Sequence, residues 1–296
     1  MKLLTCAYQG RETVAVLTAD GCHVVPVADI GYDYATMNDL IRGTNREALA
    51  AMEAAAENAA NPIALEAVRL VAPIPHPVRD VVCMGLNYKA HADEMADALK
   101  EQRTERVGPF FFGKAVVRCR GTGEPIPSHA DFISTLDYEC ELGVIIGRDA
   151  YQVPREEVAD YIFGYTVLND VTARELSRHK QNYFMKSLDG TCPLGPWIVT
   201  AEEIAYPPQL DIRLSVNGEP RQNGNTRDMI FDITDIVSEL SRGVTLPAGT
   251  IIATGSPTGI GFGMVPPVFL KDGDVVECRI EKIGVLTNTV RDDPNV

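Results

Sequence analysis

The chain has 296 residues, 45% of them hydrophobic, and a formal net charge of −14. That length suits one large domain, or a large domain with a small appendage, and supplies enough apolar residues for a sizeable core. The negative balance argues against a nucleic-acid backbone or an anionic membrane surface as partner, and means that an anionic substrate needs local positive charge, as from a bound metal.

Residues 1–30 read as short strands and turns: 13–18 is rich in β-formers, Asp20-Gly21 is a turn, and 22–27 is a second strand. Residues 35–60 place Met37, Leu40, Ile41, Leu49 and Met52 at helical spacing among Ala and Glu. Together they predict a small α+β module over 1–71. Its end is Ala72-Pro73-Ile74-Pro75-His76-Pro77, a joint that cannot continue a helix. The body is then 72–296. Within it 81–84 is a short apolar strand, and 91–106 is a helix polar on most faces. Strands follow at 110–117, 142–146 and 161–168, with 172–179 helical behind the last. Residues 212–216 and Asn217-Gly218 begin a hairpin. Residues 232–242 form a helix, and 250–253 and 275–280 are strands. Strands outnumber helices without a regular βαβ alternation. The predicted class is α+β, a β-rich mixed-sheet sandwich or roll with a small N-terminal module.

Seven cysteines are scattered along the chain with no CxxC pair. This speaks against a zinc site and for reduced thiols in a cytoplasmic protein. The apolar run at the N-terminus is too short for a signal peptide, and no stretch of about twenty apolar residues occurs, so no membrane span is expected.

The most informative segment is Asp137-Tyr138-Glu139-Cys140-Glu141-Leu142, followed by Gly143 to Gly147. In a strand, residues i and i+2 share a face, roughly 6–7 Å apart. Glu139 and Glu141 then repel each other beside a buried apolar run. A divalent cation would resolve that conflict, since hard cations such as Mg²⁺ take oxygen ligands; a solvent-facing strand edge is the plainer alternative. Asp170, in Asn169-Asp170-Val171-Thr172-Ala173-Arg174, stands where a strand ends and a helix is expected. It is a helix N-cap on one reading. On the other it completes a three-carboxylate set for Mg²⁺ or Mn²⁺.

Three further segments carry candidate chemistry. In Gly85-Leu86-Asn87-Tyr88-Lys89-Ala90-His91-Ala92-Asp93-Glu94, His91 and Glu94 are helical neighbours. A carboxylate beside an imidazole suits a general base, although an exposed ion pair has the same spacing. Lys186, in Tyr183-Phe184-Met185-Lys186-Ser187-Leu188-Asp189-Gly190, either meets a substrate carboxylate or is a solvated lysine before a turn. The loop Ala253-Thr254-Gly255-Ser256-Pro257-Thr258-Gly259-Ile260-Gly261 lacks the Lys-Ser/Thr ending of a phosphate loop and opens no helix. It could still aim backbone N–H groups, as at Gly255, and the Thr254 hydroxyl at an oxyanion.

In this order the motifs resemble the fumarylacetoacetate hydrolase superfamily, from about Ala72 to the C-terminus. The resemblance implies a mixed β-sandwich roll, a homodimer, and a divalent metal on Glu139, Glu141 and Asp170. It implies a His91–Glu94 catalytic dyad on a lid, Lys186 against the substrate, and Thr254 near the substrate carboxylate. It departs from the family at Ala115 and Met185 and in the long charged segment 97–108, which bears on lid closure. The implied reaction is cleavage of a C–C bond in an acylpyruvate- or fumarylpyruvate-like diketo acid, releasing pyruvate. Decarboxylation of oxaloacetate and isomerisation of an unsaturated keto diacid share the same metal and enolate chemistry. A non-catalytic scaffold on the same fold would show a degraded site, and these residues are all present.

Overall fold

The computed structural model describes residues 1–100 and 108–292. Among these, two sheets form the body, with an α+β composition dominated by strands. The centre of the larger sheet is the antiparallel pair Cys140–Ile146 and Ile162–Asn169. On one side it continues through Leu194–Thr200 to the N-terminal strands Lys2–Tyr8, Arg11–Leu17 and His23–Pro26. On the other side Ile251–Ala253 follows, running parallel to Val81–Met84, with Phe111–Lys114 beyond it. The smaller sheet joins Glu219–Asn225, Asp211–Val216, Val275–Ile280, Gly284–Arg291 and Ile126–Pro127.

The two central strands are buried along their whole length, because both faces of the sheet are covered. Side chains alternate across a strand. Leu142, Val144 and Ile146 therefore pack with Ile212, Leu214 and Ile280 of the smaller sheet. Ile145 points the other way, into a second core with Met37, Leu40 and Ile41 of the N-terminal helices. Those helices, Met37–Gly43 and Arg46–Glu57, start on the side chains of Thr36 and Asn45, each of which accepts a first-turn N–H. The N-terminal strands are thus hydrogen-bonded into the larger sheet, on the far side of the proline joint in sequence.

The hairpin at Asn217-Gly218 forms as expected, with both residues at positive φ (52° and 78°), the geometry that matches strand twist. The segment 172–179 is not an α-helix. Thr172–Ala173 pairs antiparallel with Leu136–Asp137, and a 3-10 turn, Arg174–His179, follows. Pairing to the strand before Glu139 takes up the backbone that a helix would need. The polar helix expected over 91–106 is Lys89–Leu99; 101–106, with most of the charged segment 97–108, lies outside the described residues. Among the described residues no helix is long and apolar enough to cross a membrane, and all seven cysteines are free thiols.

Candidate metal centre

Antiparallel register assembles the three carboxylates. Cys140 faces Asn169 and Glu141 faces Leu168, so the next step outward sets Glu139 beside Asp170, whose N–H donates to the Glu139 carbonyl at 2.8 Å. The Asn169 side chain accepts the Glu139 N–H at 3.0 Å. One oxygen from each of Glu139, Glu141 and Asp170 lies within 4.8 Å of the others, and all three residues are buried. Asp170 caps no helix; the position before the 3-10 turn is Ala173.

Among the described residues, three buried cations surround the carboxylates. Lys186 Nζ donates to Glu139 at 2.8 Å and to Asp170 at 2.7 Å. It is 3% exposed, which removes the reading as a solvated lysine. Lys114 is completely buried, 2.8 Å from Asp170, and donates to the Val171 carbonyl. Arg174 forks between Asp137 at 2.9 Å and Glu139 at 2.5 Å. Lys114, Arg174 and Asp137 carried no role in the sequence reading. A lysine inside the apolar run Phe110 to Val117 was the available signal for Lys114, because a lysine is fully buried only when paired.

The charges do not balance. Among the described residues, four buried carboxylates of the centre (Asp137, Glu139, Glu141, Asp170) meet three buried cations (Lys114, Arg174, Lys186). The deficit falls on Glu141, whose side chain takes the Gly255 N–H at 2.7 Å. Burial, then Asp170 and Glu139, push its carboxyl well above the usual range. Burial also pushes Glu139 up, but Lys186, then Arg174 and His91, outweigh it and hold that carboxyl well below the usual range. A set of close, buried oxygen donors short of positive charge fits a divalent cation such as Mg²⁺ or Mn²⁺.

A cavity of about 240 Å³ opens onto this centre, lined in part by His91, Glu139, Arg174, Lys186, Ser256 and Phe262. His91 is 4% exposed, so the exposed ion pair is not what forms. Its Nδ1 meets Glu94 at 3.0 Å, and the other Glu94 oxygen accepts the Gly259 N–H at 2.9 Å. With Nδ1 engaged, Nε2 is the ring nitrogen left for chemistry. Asn87 locks the segment before the helix through bonds to Phe231 and to the Thr254 carbonyl. Thr254 itself is placed differently from expectation. It is fully buried, its hydroxyl donates to the Leu142 carbonyl at 3.0 Å, and it does not line the cavity. With the Gly255 N–H given to Glu141, the polar side chain this loop presents is Ser256.

Asp137 ties the centre to the glycine-rich loop. It accepts the N–H groups of Gly261 and Phe262 at 2.8 and 3.1 Å as well as Arg174. Asp137→Ala leaves Arg174 half-paired and two loop N–H groups without their acceptor. Breaking a buried pair costs about 3–5 kcal/mol. A loss of that size is expected in urea denaturation; a loss under about 1 kcal/mol would mean the loop is held by other contacts.

The family model for the fumarylacetoacetate (FAA) hydrolase C-terminal domain matches residues 80–291. The oxaloacetate tautomerase YisK of Bacillus subtilis is 45% identical over 227 residues, 76% of this chain and 74% of the relative. A solved fumarylacetoacetate hydrolase of Exiguobacterium antarcticum superposes with a TM-score of 0.83 at 39% identity, over 99% of this chain and 100% of that one. The maleylpyruvate hydrolase of Sphingobium sp. SYK-6, solved with manganese(II) and pyruvate, gives a TM-score of 0.78 at 32% identity, over 98% and 99%. With a family model matching residues 80–291, a relative 45% identical and a near full-length superposition in agreement, the chain belongs to the fumarylacetoacetate hydrolase family.

Proposed function

We propose that this chain is a divalent-metal-dependent enzyme of a small 2-oxo acid that moves a proton at the carbon beside the 2-oxo group, interconverting the keto and enol forms of an oxaloacetate-like acid. One observation carries the reading: His91, Glu139 and Lys186 line a single cavity of about 240 Å³. That volume lies below the roughly 300–1,000 Å³ usual for drug-sized ligands and suits a small acid. Similarity to a protein named oxaloacetate tautomerase supports the choice of substrate.

Glu139, Glu141 and Asp170 would hold Mg²⁺ or Mn²⁺. The bound cation supplies Lewis-acid stabilisation of the enolate and offsets the substrate's charge. Lys186 spends two of its three N–H donors on Glu139 and Asp170, leaving one for the substrate carboxylate. Glu94 holds the His91 proton at Nδ1, so Nε2 takes the proton from carbon and returns it to the enolate oxygen. The apolar wall, with Met84, Phe112 and Phe262, excludes water and strengthens these electrostatic contacts.

A second reading is hydrolysis of a C–C bond in an acylpyruvate. The solved maleylpyruvate hydrolase favours it, since a base that moves a proton at carbon also activates water. Stripping the metal is expected to abolish ketonisation of the oxaloacetate enol, followed by loss of enol absorbance, and Mn²⁺ is expected to restore it above the Mn²⁺-only blank. Acetate and pyruvate appearing from acetylpyruvate by proton NMR, with enol decay at the blank rate, would replace the first reading by the second.

A further inference from the structure

The glycine-rich loop from Ala253 to Gly263 packs against the His91–Glu94 pair. Its Gly259 N–H and its Gly263 backbone both seat Glu94. A Cβ built at Gly263 would lie 2.5 Å from Glu94 Cγ, 2.6 Å from Cδ and 2.6 Å from Oε1, and these are its three nearest atoms. Gly263 is not among the glycines at positive φ, so any residue can adopt its backbone. What glycine provides there is space, and Glu94 fills it.

Glu94 cannot yield without loss. One oxygen is held by His91 Nδ1 and the other by the Gly259 N–H, and the side chain is 14% exposed. The loop is held in place by bonds that do not involve Glu94. Asp137 takes Gly261 and Phe262, the Gly263 N–H donates to the Ile260 carbonyl at 3.2 Å, and the Val268 N–H donates to the Gly261 carbonyl at 3.0 Å. A methyl group at 263 is therefore accommodated by displacing the Glu94 carboxylate from His91.

We propose that Gly263 is a positioning residue for the His91–Glu94 pair: the missing side chain at 263 lets the loop press Glu94 against His91 Nδ1 and so sets the imidazole's orientation toward the cavity. This rests on the proton-moving role given to His91 above. Gly263 is neither among the residues lining the cavity nor among the clustered carboxylates, and acts through Glu94. The glycine-rich loop thereby links the two halves of the site: Glu94 on the helix side, and Asp137–Arg174–Glu139 on the metal side.

The test is a double-mutant cycle on the full chain, assayed on the oxaloacetate enol with Mn²⁺. Gly263→Ala alone is expected to lower kcat by about 10–100-fold, the scale of a misplaced catalytic group. Its KM and Mn²⁺ affinity should stay within about twofold of wild type. In the Glu94→Ala background the atoms that the new methyl meets are gone, so the double variant should match Glu94→Ala alone. A wild-type kcat for Gly263→Ala, or the same fold-loss in both backgrounds, overturns the proposal. If Gly263→Ala lowers the melting temperature as well, recovery in the double variant keeps the Glu94 clash as the cause, and no recovery overturns it. A Glu94→Ala enzyme at the wild-type rate overturns both this proposal and the dyad. A slow Glu94→Ala enzyme with additive losses overturns this proposal alone.

Discussion

Glu141→Gln is expected to abolish metal-dependent turnover and to stabilise the metal-free protein. Glutamine keeps the shape and the acceptor for the Gly255 N–H but removes the carboxylate that, among the described residues, has no ion-pair partner. Loss of one charged ligand of three should lower Mn²⁺ affinity by about a hundredfold or more, a deeper loss than the 10–100-fold typical when only an outer partner of a ligand is removed. The stability change has the opposite sign. Burial, then Asp170 and Glu139, raise the Glu141 carboxyl in the folded chain. The folded state therefore binds a proton that the unfolded chain releases at about pH 4.3. Stability from this group is complete below that pH and is lost as pH rises toward the raised folded value. The metal-free variant has no such loss, so its stability advantage over metal-free wild type should widen from pH 5 to pH 8. Urea denaturation at both pH values checks this, and subtracting the two proteins removes every other titrating group. The same displaced proton makes metal binding by wild type release protons, visible by calorimetry in buffers of different ionisation enthalpy. A gap independent of pH, with Mn²⁺ affinity unchanged, would remove Glu141 from the centre.

The carboxylates were readable from sequence because their placement depends on local rules. Alternation along one strand puts Glu139 and Glu141 on one face, and an apolar strand ending at Asn169 brings Asp170 to the same end. The counter-charges were not readable in this way. Lys114 comes from the Phe111–Lys114 strand, which does not pair with the carboxylate strands, and reaches Asp170 through tertiary packing alone. Arg174 lies in the same segment as Asp170, yet its fork to Asp137 and Glu139 depends on Thr172–Ala173 pairing back onto Leu136–Asp137. Helical propensity over 172–179 pointed elsewhere, and a non-local pairing won. Thr254 shows the same limit at the scale of one side chain. A hydroxyl in a tight loop is free to serve an oxyanion until the fold brings a neighbouring carbonyl, here Leu142, within reach. The pairing of Lys2–Tyr8 with Leu194–Thr200 across the joint is likewise non-local, and no pattern within either segment announces it.

His91→Asn is expected to separate metal binding from proton movement. Asparagine retains a polar side chain beside Glu94 but has no basic nitrogen at the cavity. Removing a general base costs typically about 10²–10⁴ in rate, and a loss in that range is expected in kcat for the oxaloacetate enol. Mn²⁺ affinity should change little, because His91 is not among the clustered carboxylates. Metal-dependent decarboxylation of oxaloacetate needs a stabilised enolate and no base. Any such activity should therefore survive in His91→Asn while enol ketonisation is lost, as parallel assays of the two products on one preparation would show. Equal loss of both activities would mean that His91 acts by shaping the cavity, and would move the proton-transfer role to a different group of the same wall.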